Sequence, residues 1–488
     1  MSLAPGGVSF TRLKRRALSI GAVKAFDHAM QFLLPLVLVR CLDTATFGEY
    51  RLLWLAVGTI MSFATLNMCG TLYYFVPRSE PQRKRLYVHQ TLIFLALSGL
   101  ACGFFVSPAN PLLPAPIRPL GAHGLLVPAF VTLWVVTDLL DRLPTVDERI
   151  AWQAYATVGV SALRVALMAA GAWFTGDFHI MLWLLLAVAL TKTGLLAYYV
   201  WRRHGLGRPW FEWATFSEQF RHSAPLGLNA AFYGLRGKAD QWVAAILFSL
   251  ASFAAFSIAA VVGQLVHILR QSVMESFLPS MSRLQAAGNV RGMLEMNSRG
   301  NVMVAKLLYP GLAFVFVFAP ELVTMVYTAS YLEAAPVMRV YILGMAASVV
   351  EMGSLVMLLR QGTYALGVTG FTLAVSIAVS WAAAHVFGLP GAAAGSVLGI
   401  YLDRLLILRR LARLTGIALR HVQDWRTLAW RLAVAALSGA AAWSIAEWLL
   451  AAQGPLMRVA VGAAVIALVH APAHLPGLLQ FATKRNAT

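Results

Sequence analysis

Residues 222–250 read HSAPLGLNAAFYGLRGKADQWVAAILFSL, an apolar run with Arg236, Lys238 and Asp240 at its centre. A charge in the middle of a membrane helix costs about 2.5–3.5 kcal/mol on insertion scales, so three in one run ask for a functional or a pairing reason. The run is one of many. With 59% hydrophobic residues, 12% charged and a mean hydropathy of +0.70 over 488 residues, the chain carries more apolar surface than a soluble core can hide. It reads as an all-α polytopic membrane protein.

Apolar windows with basic or Pro/Gly boundaries fall at 17–39, 51–76, 88–106, 124–141, 153–174, 179–200, 224–248, 253–278, 302–328, 336–358, 364–386, 391–408, 428–450 and 456–475. That gives about fourteen helices, each near the ~20 residues that a ~30 Å hydrocarbon core requires. The stretch FTRLKRR before the first window resembles the start of a signal peptide, but the apolar run is long and has no small-residue cleavage site, so it is expected to stay as the first span. Basic residues gather in alternate loops, at Arg12 to Arg16, Arg78 to Arg85, Arg202 to Arg221, Arg283 to Arg299 and Arg409 to Arg426. The positive-inside rule then puts both termini in the cytoplasm. Although the net charge is +19, the cations cluster between apolar runs and are not interleaved with aromatics on a soluble face, which excludes a nucleic-acid binder. Cys41, Cys69 and Cys102 have neither disulfide nor metal spacing and read as packing residues. No metal and no cofactor is expected.

An internal repeat runs through most of the chain. FGEYRLLWLAV at 47–57 matches FAAFSIAAVVG at 253–263, YFVPR at 74–78 matches FLPSMSR at 277–283, AYATVGV at 154–160 matches TYALGVT at 363–369, and WRR at 201–203 matches LRR at 408–410. An offset held near 205 residues through six helices predicts two six-helix lobes of one topology, 1–203 and 204–410, with substrate handled between them. Residues 411–488, a basic linker and helices thirteen and fourteen, fall outside the repeat.

Several segments also resemble a known family. LVRCLDTATFGEYRLL (38–53), LPSMSRLQAAGNVRGMLEMNSRGN (278–301), YLEAAPVMRVYILGM (331–345) and VFGLPGAAAGSVLGIYL (386–402) are similar, in content and order, to the oligosaccharide flippases (Wzx-type polysaccharide exporters) of the multidrug/oligosaccharidyl-lipid/polysaccharide exporter superfamily. The resemblance implies a flippase, not an enzyme. Its substrate would be a polyprenyl-pyrophosphate-linked oligosaccharide carried from the inner to the outer leaflet by alternating access, for O-antigen or exopolysaccharide assembly. It implies a monomer that works with membrane lipid and with polysaccharide polymerase and export machinery, and helices thirteen and fourteen would offer a groove for the lipid tail.

The membrane charges are the candidate site. Arg164 lies near the middle of the fifth window and Lys192 near that of the sixth, with no carboxylate within four residues on either helix. Two readings stand for each: contact with a pyrophosphate in a watery cavity, or pairing with a carboxylate of another helix such as Asp138 or Asp141. In the opening stretch Arg236 and Asp240 are four apart and share a helix face, whether as a structural pair or at the site, while Lys238 points elsewhere. Gly234 and Gly237 allow a bend there. Lys24, Asp27 and His28 can meet on one face of the first window, either neutralising one another or handling a coupling ion. Arg270, beside His267, is a further substrate-binding candidate that could instead snorkel. Asp27, Asp240 and Glu351 are the carboxylates available to a coupling H+ or Na+.

Other signals do not hold. Gly234, Gly237 and Lys238 lack the spacing of a phosphate loop. His470 and His474 are separated by Pro472, which argues against a regular helix, and read as interfacial. Gly395 and Gly399 form a GxxxG that indicates close packing within the bundle. LRRLARLTGIALRHVQDWR at 408–426 reads either as an interfacial helix or as a basic linker. The alternatives to the oligosaccharide flippase are an ion-coupled multidrug or lipid II exporter of the same superfamily, and a membrane-embedded transferase, for which the short loops supply no cluster of catalytic polar residues.

Overall fold

The computed structural model describes residues 26, 29–450 and 452–485, without the side chains of 264, 265 and 472–485. Among the described residues there are helices and no strands, and every expected window from 51 onward falls on a helix or a broken helix, the first window being helical over its described part from Ala29. Among the described residues eight helices are long and apolar enough to cross a membrane, or ten if each of two bent pairs is one span. The protein is an all-α polytopic membrane protein. The chain divides into two compact units, Met1–Lys238 and Ala239–Thr488.

The first unit contains α1 (Ala29–Cys41), α2 (Thr44–Ala64), α3 (Met68–Phe75), α4 (Pro81–Phe105), α5 (Leu126–Val136), α6 (Ile150–Phe174), α7 (Phe178–His204) and α8 (Trp213–Arg236). Asp43 starts α2, accepting the N–H groups of Ala45 and Thr46 at 2.8 and 2.9 Å and the Thr46 hydroxyl at 2.7 Å. After α2 the chain turns by 44° through Leu66 and Asn67, both at positive φ. The fourth window is more strongly broken, because Ala115–Gly121 and Leu126–Val146 meet at 102°. Helix α4 packs on α5 backbone to backbone: a Cβ at Gly99 would stand 2.8 Å from the Thr132 carbonyl oxygen, and one at Gly103 2.9 Å from that of Pro128. With little hydrophobic drive between helices in lipid, such close approach is what holds them. Helix α8 is tied in by polar groups. Gln90 Nε2 of α4 donates to Gln219 Oε1 of α8 at 2.8 Å, and Gln219 Nε2 donates to Thr91 Oγ1 at 2.9 Å, all three residues being fully buried.

The second unit contains α9 (Ala239–Leu247), α10 (Leu250–Ala259), α11 (Val261–Ala286), α12 (Val290–Val317), α13 (Ala319–Val326), α14 (Ala334–Ser348), α15 (Gly353–Leu358), α16 (Gly362–Phe387), α17 (Leu389–Thr415), α18 (Trp425–Leu449) and α19 (Pro455–Arg485). The GxxxG does what its spacing predicts within the bundle. A Cβ at Gly395 of α17 would meet the Ser380 amide nitrogen of α16 at 2.6 Å. Helix α18 is fastened to α12 through Gln423, which accepts from Asn301 Nδ2 at 2.9 Å and donates to Ser298 Oγ at 3.0 Å. Phe318, Ala442, Ala446 and Ile466 form a small core between α18, α19 and the start of α13.

Three sequence expectations change. The helix does not stop at Pro472, since α19 runs to Arg485; in lipid, neighbouring groups and local adjustment re-satisfy a carbonyl freed by proline. His470 Nε2 of α19 lies 3.3 Å from Ser438 Oγ of α18, inside the helix pair. The basic segment 408–426 is divided: α17 carries through Arg409, Arg410 and Arg413 and ends at Gly416, where φ is +68°, and a one-turn helix at Leu419–Val422 follows before α18.

Candidate functional site: cations and aromatic rings on helix α2

Tyr50, Trp54, Gly58 and Ser62 recur every four residues and so form one stripe along α2. Trp54 is the centre of an aromatic cluster, with ring centroids 6.3 Å from Tyr50, 6.0 Å from Phe130 and 5.3 Å from Trp134. Three cations from three other helices of this unit reach the cluster or its stripe. The Arg164 guanidinium, from α6, stands 5.6 Å over the Trp54 ring. Lys192 Nζ, from α7, stands 4.8 Å over the Trp134 ring. Lys238, just past the end of α8, lies against Gly58, where a Cβ would stand 2.7 Å from its Nζ. A ring face attracts a cation electrostatically, and the attraction grows as water is removed.

The three cations differ in how they are balanced. Lys192 is buried and sits 2.8 Å from Asp141 Oδ2, the pairing that was the alternative to substrate contact. Asp138, also buried, lies 3.6 Å from Arg142 Nε. These four side chains neutralise one another. Arg164 and Lys238 make no ion pair among the described residues, and the buried Nε atoms of Arg164 and Trp54 have no hydrogen-bond partner there. Buried polar atoms are normally bonded, so these are places where a ligand or water has something to satisfy. Trp54 and Gly58 are one turn apart, about 6 Å of helix rise. Arg164 and Lys238 therefore lean on neighbouring steps of one helix face.

The other candidates are placed elsewhere. Arg236 stands 5.8 Å over the ring of Tyr233 on its own helix. The helix face that would bring Arg236 to Asp240 is interrupted, since α8 ends at Arg236 and α9 begins at Ala239. Asp240 is buried and accepts the Tyr341 hydroxyl at 2.6 Å and the Gln241 N–H at 2.8 Å. Arg270 donates to the Ser348 carbonyl at 3.1 Å with His267 Nδ1 at 3.1 Å beside it, tying α11 to the end of α14. The Glu351 carboxylate accepts the N–H of Gly353 at 2.6 Å and so starts α15, while Asn297 and Asn301 bind its main chain. Lys24, Asp27 and His28 lie outside the described residues. Among the described residues no group of three or more His, Cys, Asp or Glu could hold a metal ion.

Sequence reasoning found the cations of this cluster and missed its rings. The signal was present as Tyr50, Trp54 and Gly58 at four-residue spacing, but aromatics do not stand out within an apolar window.

Comparison with known proteins fits this architecture. Residues 149–336 match the model of a family described as polysaccharide biosynthesis protein. The structure of the lipid II flippase MurJ in an inward closed conformation superposes with a TM-score of 0.65 at 10% identity, covering 93% of this chain and 99% of that one. The chain has the fold of the MOP superfamily. An inward-facing multidrug resistance MATE family transporter of that superfamily gives a TM-score of 0.62 at 14% identity, over 80% of this chain and 96% of the other. A MOP superfamily transporter from Pyrococcus furiosus, described as having a binding pocket of reverse polarity, gives 0.52 at 13% identity over 83% and 96%. No curated protein matches the sequence. The flippase resemblance read from the sequence is thus supported by a family model over residues 149–336 and by the fold, and the matched structures are those of a flippase and of transporters.

Proposed function

We propose that this MOP-fold protein moves a polyprenyl-pyrophosphate-linked oligosaccharide from the inner to the outer leaflet of a bacterial cytoplasmic membrane, for surface or exopolysaccharide assembly. The observation that carries this reading is the pair of unbalanced cations, Arg164 and Lys238, which lie against Trp54 and Gly58, one helical turn apart on α2. A diphosphate offers the matching charge, and guanidinium and ammonium groups give it charge-assisted hydrogen bonds. The Trp54 and Trp134 faces would stack on a sugar or hold the cations in place. Lys192, neutralised by Asp141, positions Trp134 from the other side.

The membrane potential favours export. Moving about two negative charges outward across an inside-negative membrane gains about 2.3 kcal/mol per charge per 100 mV. Asp27, Asp240 and Glu351 are the carboxylates through which H+ or Na+ would add to that drive.

A lipid II exporter would use the same diphosphate chemistry with a different sugar, and the match to MurJ favours keeping it as the second reading. A multidrug exporter calls for an acidic aromatic cavity, against which the cations on α2 stand. The decisive experiment is the sidedness of lipid-linked sugar after deletion of the gene. Accumulation on the inner leaflet is expected; normal surface polysaccharide with no accumulation would end the proposal. Accumulated lipid II in place of lipid-linked oligosaccharide would select the second reading.

A further inference from the structure

At the end of the first unit where α4 begins and α7 ends, Lys84, Arg85, Arg149 and Arg203 line a cleft of about 390 Å3 together with Asp147 and His204. The one carboxylate is already engaged, because Asp147 Oδ2 accepts the Tyr199 hydroxyl at 2.8 Å and lies 2.9 Å from His204 Nε2. None of the four cations forms an ion pair among the described residues, and the buried Nε of Arg85 has no hydrogen-bond partner there. A basic membrane edge is ordinary. Four uncompensated cations around a concave space are a phosphate site in waiting, since a guanidinium grips phosphate oxygens two at a time.

A second cavity, which shares helix α7 with the cleft, says what else the ligand carries. A groove of about 270 Å3 runs between α6 and α7, lined by Trp152, Tyr155, Gly159, Leu163, Thr191 and Leu195. It adjoins the cleft: Trp152 packs on Tyr199 with ring centroids 4.5 Å apart, and Tyr199 bonds Asp147. From Trp152 to Leu163 the helix rises about 16 Å, close to half of a ~30 Å hydrocarbon core. The groove is one leaflet deep.

We infer that the cleft and groove together hold an anionic glycerophospholipid, its phosphate among Lys84, Arg85, Arg149 and Arg203 and one acyl chain along Gly159. This site is separate from the α2 cluster and does not depend on what the protein transports. A soluble phosphate would leave the groove unused, and a polyprenyl chain is far longer than a single leaflet.

The test is native mass spectrometry of the full chain in detergent with phosphatidylglycerol, phosphatidylcholine, undecaprenyl diphosphate or inorganic phosphate added. Phosphatidylglycerol is expected to be retained over phosphatidylcholine. Two variants should each weaken that retention about tenfold, the scale of losing one or two charge-assisted bonds or of filling the groove: Arg85→Gln with Arg149→Gln, and Gly159→Phe, which touches no charge. The exposed Arg149→Gln alone serves if the double variant does not fold. Arg291→Gln with Arg299→Gln on α12 removes the same charge elsewhere and should leave retention unchanged. Equal loss in that control, equal retention of the two phospholipids, indifference to Gly159→Phe, or preference for undecaprenyl diphosphate would each overturn the assignment.

Discussion

The ammonium of Lys238 rests on the bare backbone of Gly58, so that a methyl group at position 58 would stand 2.7 Å from Nζ. The contact is with the far end of a flexible side chain, so it can give way without disturbing the helices. Gly58→Ala should therefore hold or raise thermal stability, because alanine is better than glycine in a helix by about 1 kcal/mol. Transport should nevertheless fall about tenfold, as Lys238 leaves its place. Export of lipid-linked sugar measured at equal protein level, beside a melting curve, separates the two effects; a fall in both together would mean the glycine serves packing alone.

Arg164→Gln and Lys238→Gln should each lower export while leaving the protein folded, since neither removes an ion pair among the described residues. Lysine in place of Arg164 should recover only part of the activity, because an ammonium lacks the planar fork that grips two phosphate oxygens. Export in cells carrying each variant is the measurement, and full activity in Arg164→Gln would take that residue out of the site.

The Lys192–Asp141 pair is lopsided, with side-chain exposures of 7% and 50%. Removing one partner leaves the other to find solvent, and only Asp141 can. Asp141→Asn should cost about 1–3 kcal/mol by stranding a buried ammonium, and Lys192→Met distinctly less. Chemical unfolding in detergent of the two single variants and the double one gives both numbers and the coupling between them.

Gly395→Val should prevent accumulation of folded protein, because its Cβ would collide with the backbone at Ser376 and Ser380, neither of which can move alone. At Gly399 the nearest atom would be 3.6 Å away, an ordinary contact, so Gly399→Ala should be tolerated. Yield of monodisperse protein after detergent extraction distinguishes these outcomes.

Asp43 lies before α2, outside the span, and the hydrogen bonds from Thr46 and Ala45 hold its carboxyl below the usual carboxylate value. A group whose folded pKa is depressed stabilises the fold above its unfolded value and loses that contribution as pH falls through the folded one. The cap should thus be fully effective at neutral pH and weaken below about pH 4. Asp43→Asn, which caps without titrating, should show a melting temperature that falls less than the wild type between pH 5 and pH 3.

Much of the fold was open to reading because crossing a membrane demands long apolar windows, and those stand out in any sequence. What the windows conceal is where a span breaks. The 102° turn before Leu126 and the gap between α8 and α9 depend on local packing, although Gly234 and Gly237 did mark the second. The cations were equally visible, since a charge among apolar residues contrasts with its surroundings. Their partners were not. Lys192 and Asp141 are 51 residues apart, and no periodicity selects one distant carboxylate over another. Trp54 and Trp134 are lost for the opposite reason, because rings blend into an apolar run.

The buried glutamines carry one more implication. Gln219 fastens α8 to α4 in the first unit as Gln423 fastens the start of α18 to α12 in the second, at about the spacing of the internal repeat. Helix α18 is thus joined to its unit by the same kind of clasp as α8. A chain cut back after Thr415 would leave Asn301 and Ser298 without Gln423, their buried partner, as well as losing two helices, so the C-terminal pair is a keystone of its half and not an appendage to be trimmed.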